Sequence, residues 1–237
     1  MPKISVVIPS YLEAENLKIL LPKIKENLKD ITYEIIVVDS IEPMDNSKEI
    51  CESYGVRYIN RTKGNFYGDA IRTGFQNSLG EYTVVMDADG SHDPKEIIEF
   101  YKKMEANDID LVIGSRYCLG GKTDNNCILI FMSWILNITY RLAFGLNVKD
   151  VSDSYRMYKT DQIKNIYLEC INFDIVEEIL IKLVLQYDNF KIIELPITFN
   201  KRFAGKSKRN LWKFVLTYIS TIIRLMRIRL NYKRKKI

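Results

Sequence analysis

Histidine and cysteine are scarce in this 237-residue chain, which holds one histidine, His92, and four cysteines, Cys51, Cys118, Cys127 and Cys170. A lone histidine excludes multi-histidine metal sites and leaves any Ser-His-Asp site dependent on that one ring. The cysteines show no C-x-x-C or C-x-x-H spacing. That argues against a disulfide framework or a zinc site and points to a reducing compartment. No basic n-region or apolar h-region precedes the strand-like opening MPKISVVIPS, so no signal peptide is expected. Acidic residues are missing from 201–237, which carry 13 Lys and Arg, whereas residues 1–200 hold 22 basic and 30 acidic residues. A mildly acidic body with a strongly basic end suggests an anionic partner: nucleic acid, phosphate or a membrane surface. The basic residues are not interleaved with aromatics as on single-strand platforms, and no helix-turn-helix or zinc-finger pattern appears, so nucleic acid is set aside.

Hydrophobic residues make up 47% of the chain and charged ones 27%, enough for a packed core and too apolar for disorder. Short β-branched runs at 4–8, 33–38, 56–59, 82–86 and 110–113 alternate with helical periodicity at 13–29, 46–54, 68–79 and 95–106. That alternation predicts βαβ units, hence an α/β fold with a mainly parallel sheet flanked by helices. Asp93 and Pro94 suit the cap and first position of the 95–106 helix. After residue 115 the pattern changes. Sixteen uncharged residues, 125–140, end at Arg141; this is short of the roughly 20 needed to cross a bilayer and predicts a buried or membrane-facing helix. Further elements are expected at 174–187 (helix) and 191–199 (strand). Residues 201–209 read as a basic loop. The stretch 210–230, rich in Trp, Leu and Ile but broken by Lys213, Arg224, Arg227 and Arg229, reads as an amphipathic helix lying on a membrane. The expected organisation is a catalytic domain over 1–209 and a basic, membrane-associating helix and tail over 210–237.

The sharpest chemical signal is Asp87-Ala88-Asp89, directly after the strand YTVVM. Ligands of open parallel sheets bind beyond the carboxyl ends of the strands. Two carboxylates there supply oxygen ligands to a hard cation, Mg²⁺ or Mn²⁺, which neutralises charge on a departing diphosphate.

Around this pair lie SVVIPSYLEAENL (5–17), EIIVVD (34–39), YGDAIRTGF (67–75), MDADGSHDP (86–94), DLVIGSRY (110–117), DVSDSYRMY (150–158) and IIELPITFNKRFAGKSK (192–208). In content and order the chain resembles the family 2 inverting glycosyltransferases of GT-A fold, specifically the dolichol-phosphate mannose synthase-like branch. The resemblance implies metal-dependent transfer of a hexose from a nucleotide-diphosphate sugar, GDP-mannose or a UDP-hexose. It implies that Pro9, Tyr11, Glu13 and Asp39 contact base and ribose, and that Asp87 and Asp89, with Ser91, hold the metal. Arg116 is expected to meet phosphate oxygens near the reaction centre. Arg202 and Lys208 are expected to close over the donor diphosphate on a loop that bends at Gly205. His92 is expected to make a local hydrogen bond rather than act as a base.

Two departures leave the acceptor open. Ser40 stands where the family usually has a second Asp after position 39, with Asp45 as a substitute. Resembling polyprenyl-phosphate transferases carry Arg or Lys about four residues before the acceptor-helix serine; here Ser133 is preceded by Ile128, Leu129 and Ile130, and Lys122 lies farther upstream. A polyprenyl phosphate (dolichyl or undecaprenyl) at the cytoplasmic membrane face needs no strong base, being already anionic. A sugar hydroxyl of a surface glycan does need one, and Asp153, near Asp150, is the candidate. The enzyme is expected to be peripheral on the inner face of the membrane.

Overall fold

The computed structural model describes residues 1–203 and 211–235, and side chains over 1–203 and 217–232. The β-branched runs form strands β1 (Ile4–Pro9), β2 (Tyr33–Asp39), β3 (Arg57–Asn60), β4 (Tyr82–Val85) and β5 (Leu111–Ser115); β6 (Lys122–Thr123), β7 (Arg156–Lys159), β8 (Ile192–Pro196) and β9 (Thr198–Phe199) follow. The helices are α1 (Ala14–Asn27), α2 (Ser47–Ser53), α3 (Tyr67–Asn77), α4 (Glu96–Asn107), α5 (Cys127–Phe144), α6 (Thr160–Lys164), α7 (Ile175–Gln186) and α8 (Leu211–Lys235).

Seven strands make one sheet in the order β3-β2-β1-β4-β7-β5-β8, and β6 pairs with β9 in a separate ribbon. All neighbours in the large sheet run parallel except β7, which lies antiparallel between β4 and β5, with Val84 opposite Met157 and Ile113 opposite Arg156. Successive residues serve opposite faces, as the strand period requires. Val7, Ile36, Val85 and Ile113 pack with residues of α3, α5 and α7; Val6, Ile35, Val84 and Val112 pack with α1 and α4. The sheet is therefore buried on both faces, the three-layer arrangement that parallel strands favour.

Three features differ from the expectation. Strand β7 lies in a stretch with no strand signal of its own: Arg156, Met157 and Tyr158 are all buried, so no polar–apolar alternation marks it. The single strand expected over 191–199 is two. Pro196, lacking an N–H, ends β8 beside β5, and the chain turns away to pair with β6. Helix α4 starts at Glu96 after a tight turn in which Asp93 accepts from the N–H groups of Lys95 and Glu96.

The boundary expected at 209/210 falls outside the described residues. Within the described part of α8, Tyr218, Thr221 and Leu225 are buried, at helical spacing, against α7 and α5. Thr221 donates to Asp174, and Arg229 reaches the Ala143 carbonyl at the end of α5. The opposite side of α8 presents Ile219, Ile223, Met226 and Leu230 to solvent. Helix α5 behaves similarly: Leu136, Tyr140 and Phe144 are buried, while Ile128, Phe131, Trp134, Ile135 and Leu142 are exposed. Its 18 residues have a mean hydropathy of 1.6, and 22% of them are buried.

Candidate active site

Strands β1 and β4 lie side by side, so the segments leaving their carboxyl ends meet at one edge of the sheet. After β4 the chain turns through Asp87-Ala88-Asp89-Gly90. Gly90 has φ of +82°, and a Cβ there would lie 2.2 Å from the Phe203 ring, so the turn needs glycine on both counts. Phe203 and Asn200 close the turn from above, donating their N–H groups to the carbonyls of Asp89 and Ser91 at 2.8 and 2.9 Å. The loop after β1 holds Leu12 at φ of 57°, a left-handed backbone rare for leucine. The flanking Tyr11 and Glu13 both line the neighbouring cavity.

That cavity, of about 320 Å³, is lined by Pro9, Tyr11, Glu13, Asp87, Asp89 and Arg202, together with Arg61, Asn65, Phe66, Tyr67, Asn172 and Phe173. Arg61 is buried and donates to the carbonyls of Ser10, Asn65 and Phe66, tying the β1 loop to the β3–α3 loop. Phe173 stacks on Tyr67 with ring centroids 4.4 Å apart. Asp39 does not line the cavity: it is buried behind it, accepting from Ser40 N–H at 2.8 Å and Tyr58 OH at 3.0 Å, and burial pushes its carboxyl up. Asp45 is also engaged elsewhere, accepting from the N–H groups of Ala14 and Ser47 at the starts of α1 and α2.

A second cavity, of about 400 Å³, opens on the other side of the acidic pair and shares Asp87, Asp89 and Arg202 with the first. Its further walls are Ser91, Arg116, Ser152, Asp153 and Ser154, the 124–126 loop, Ile128 and Leu129 of α5, and Asn200 and Lys201. Arg116 leaves the end of β5 and is gripped by Asp150, with Nε to Oδ2 and Nη2 to Oδ1 both at 2.8 Å; Asp153 Oδ2 lies 3.1 Å from Nε. Nη2 also reaches Ser152 Oγ at 2.7 Å and Ser133 Oγ at 3.4 Å, and the two hydroxyls are 2.8 Å apart. Among the described residues Nη1 of Arg116 has no hydrogen bond. A smaller slot under α5 joins Ser133, Arg116 and Ser152 to Leu129, Met132 and Leu136.

Asp153 is 2% exposed. Burial alone would raise its pKa, but Arg116 and His92 hold it down at about 2. His92 is also buried, stacked on Tyr155, with Nε2 3.3 Å from Asp153 Oδ1. Its Nδ1 accepts the Asp87 N–H at 3.0 Å; burial pushes the pKa of the ring down, but the Asp153 carboxylate outweighs it and raises it. The imidazole thus braces the acidic turn against Asp153, as a local hydrogen-bonding residue.

Asp87 Oδ1 lies 3.3 Å from Ser154 Oγ and 3.4 Å from Tyr67 OH. Asp89 pairs with Arg202; against the upward push of burial, Ser91 and that guanidinium keep Asp89 below the usual carboxylate range. Ser91 Oγ is buried beside them without a hydrogen-bond partner among the described residues. No group of three or more His, Cys, Asp or Glu side chains suits a metal among those residues. What the turn offers is two carboxylates and a hydroxyl, an oxygen-only set that fits Mg²⁺ or Mn²⁺ completed by substrate phosphate and water.

The structure therefore gathers Pro9, Tyr11, Glu13, Asp87, Asp89, Ser91, Arg116, Asp153 and Arg202 around two joined cavities, places Ser133 in the slot beside them and leaves Asp39 outside. Lys208 lies outside the described residues. Sequence reasoning missed Arg61, Tyr67, Phe173, Ser152 and Lys201. Of these, Tyr67 opens the quoted YGDAIRTGF motif and Lys201 precedes the basic RFAGKSK loop, so both had a signal.

The fold closely resembles solved glycosyltransferases. A crystal structure of glucosyl-3-phosphoglycerate synthase from Mycobacterium tuberculosis with Mn²⁺, uridine diphosphate and phosphoglyceric acid superposes with a TM-score of 0.76, over 95% of this chain and 78% of that one, at 16% identity. Among curated proteins, a dolichol-phosphate mannosyltransferase of Pyrococcus furiosus is 36% identical over 95% of this chain, which spans 64% of that protein's length. An undecaprenyl-phosphate mannosyltransferase of Micrococcus luteus is 30% identical over 87% of both chains. Residues 5–167 match the model of glycosyl transferase family 2. With seven ordered motifs, the acidic turn at the sheet edge and these relatives in agreement, the chain belongs to glycosyl transferase family 2.

Proposed function

We propose that the protein is an inverting glycosyltransferase that moves mannose from GDP-mannose to a polyprenyl phosphate at the inner face of a membrane. The observation that carries this reading is the joining of the two cavities at Asp87, Asp89 and Arg202. A nucleotide diphosphate in the first and an acceptor in the second would meet at one cluster of charge. The names of the two curated relatives support mannose and a polyprenyl phosphate. Pro9, Tyr11 and Glu13 hold the nucleoside, and Arg202 contacts the diphosphate through its planar fork. Asp87, Asp89 and Ser91 would hold a divalent cation, which when bound neutralises the diphosphate as it departs. Arg116 and the Ser133–Ser152 pair orient the acceptor. Its phosphate oxygen attacks the anomeric carbon from the face opposite the diphosphate, the new C–O bond forming as the old one breaks and the nucleoside diphosphate leaves with the electron pair.

An acceptor hydroxyl is the weaker alternative. A base must match the proton it removes, and Asp153, held near 2 between Arg116 and His92, binds a proton poorly at neutral pH. A phosphate monoester needs no such help. Attachment to the membrane is supported by the exposed apolar residues of α5 and α8, and by α5 residues Ile128 and Leu129 forming one wall of the acceptor cavity. Exposed Arg227 adds attraction to anionic lipid, about 1 kcal/mol per basic residue near the surface. The scattered cysteines suit the reducing side.

The test is a panel of labelled nucleotide sugars with Mn²⁺, offered polyprenyl phosphate or oligosaccharide. Label from GDP-mannose in the lipid fraction is the expected result. Label confined to water-soluble product would replace this reading with hydroxyl transfer.

A further inference from the structure

An acceptor that arrives as a phosphate needs positive charge not already committed to a carboxylate. Among the described residues three cations line the acceptor cavity: Arg116, Lys201 and Arg202. Arg116 is held by Asp150 and Asp153, and Arg202 by Asp89. Lys201 is exposed and has neither an ion pair nor a hydrogen bond among the described residues. Helix α5 contributes only Ile128 and Leu129 to this cavity, and Lys122, in β6, does not line it. The position of Lys201 follows from the β6–β9 ribbon. Asp124 N–H donates to the Phe199 carbonyl and Asn200 N–H to that of Ser91, both at 2.9 Å, which pins the chain at the cavity mouth one residue before Lys201.

We infer that Lys201 binds the phosphate of the acceptor, supplying the mobile charge that the committed arginines do not. The inference rests on the polyprenyl-phosphate reading above. Lysine chemistry suits such a role, because its ammonium is a compact point charge on a flexible stem, able to follow a phosphate that turns toward the anomeric carbon. Asp124 lines the same cavity and has no ion pair among the described residues. Its charge is opposite in sign to that of Lys201, so it works against anion binding in the same cavity.

The experiment is steady-state transfer from GDP-mannose to short-chain polyprenyl phosphate in neutral detergent micelles, which removes any attraction of Lys201 for anionic lipid. Lys201→Met should raise the acceptor KM about ten- to a hundredfold, the loss typical of a hydrogen bond to a charged group, with the donor KM and kcat little changed. Lys201→Arg should restore the acceptor KM, and Asp124→Asn should lower it below that of the wild type. An unchanged acceptor KM in Lys201→Met overturns the inference, as does a rise confined to the donor KM. Wild-type protein that labels no polyprenyl phosphate removes the functional reading and the role of Lys201 with it. Active wild type with an unmoved Lys201→Met removes the role of Lys201 alone.

Discussion

The two halves of the site are built by different means. The donor half grows out of parallel strands: the ends of β1 and β4, with loops that leave them directly. The acceptor half is assembled from distant pieces, namely an antiparallel strand inserted into the sheet, a two-stranded ribbon and an apolar helix that carries Ser133. Charge is also handled differently. On the donor side Asp89 meets a partly exposed Arg202. On the acceptor side Arg116, Asp150, Asp153 and His92 form a buried, mutually committed group. The first half holds its charge in one partly exposed pair beside the cavity, and the second uses most of its charge to hold its own shape.

Removing one charge from each half tests that contrast. Asp89→Ala should lower kcat by about a thousandfold or more, the scale of losing electrostatic stabilisation of a leaving group. Its melting temperature should barely move, and retained turnover would end the assigned role. Arg116→Ala should instead cost about 3–5 kcal/mol of stability, because it strands buried carboxylates. Urea denaturation reads this directly, and an unchanged midpoint would show Arg116 to be a ligand contact rather than a brace.

The exposed helix face predicts a smaller effect. Replacing Phe131 and Trp134 together by Ser should weaken co-sedimentation with anionic vesicles about tenfold to a hundredfold, from the apolar area no longer buried in lipid. Turnover with a short acceptor in detergent should survive.

A last, pH-dependent effect concerns Glu177, buried on α7 with neither carboxylate oxygen hydrogen-bonded among the described residues. Burial pushes its carboxyl up to about 8; Arg156 opposes the shift, while Asp174 and Asp150 add to it. A carboxyl raised in the folded state binds more protons there than when unfolded, so it costs stability as pH climbs from the ordinary glutamate range to about 8. Glu177→Gln should therefore be more stable than wild type at pH 8, with the gap closing toward pH 5. A gap independent of pH would show Glu177 ionised alongside Arg156.

The proposed donor half was largely legible in the sequence, because each strand end is followed at once by the residues that line the cavity. Asp87 and Asp89 follow YTVVM, and Pro9 and Tyr11 follow ISVVI. The acceptor half was less so. Strand β7 is buried on both faces, which erases the alternation a strand is known by, and Ser152 meets Ser133 only through the tertiary fold. Asp39 is a motif position at a strand end whose carboxylate accepts from Tyr58 and Ser40 and does not line the cavity.

Helix α8 has a practical consequence for any attempt to shorten this protein. Tyr218 and Leu225 are as deeply packed as the sheet itself, and Arg229 ties the helix to the end of α5. A fragment cut before this segment would bare the greasy flank of α7 and loosen the wall around Ser133. Trimming for solubility would then yield a sticky, damaged catalyst instead of a clean soluble one.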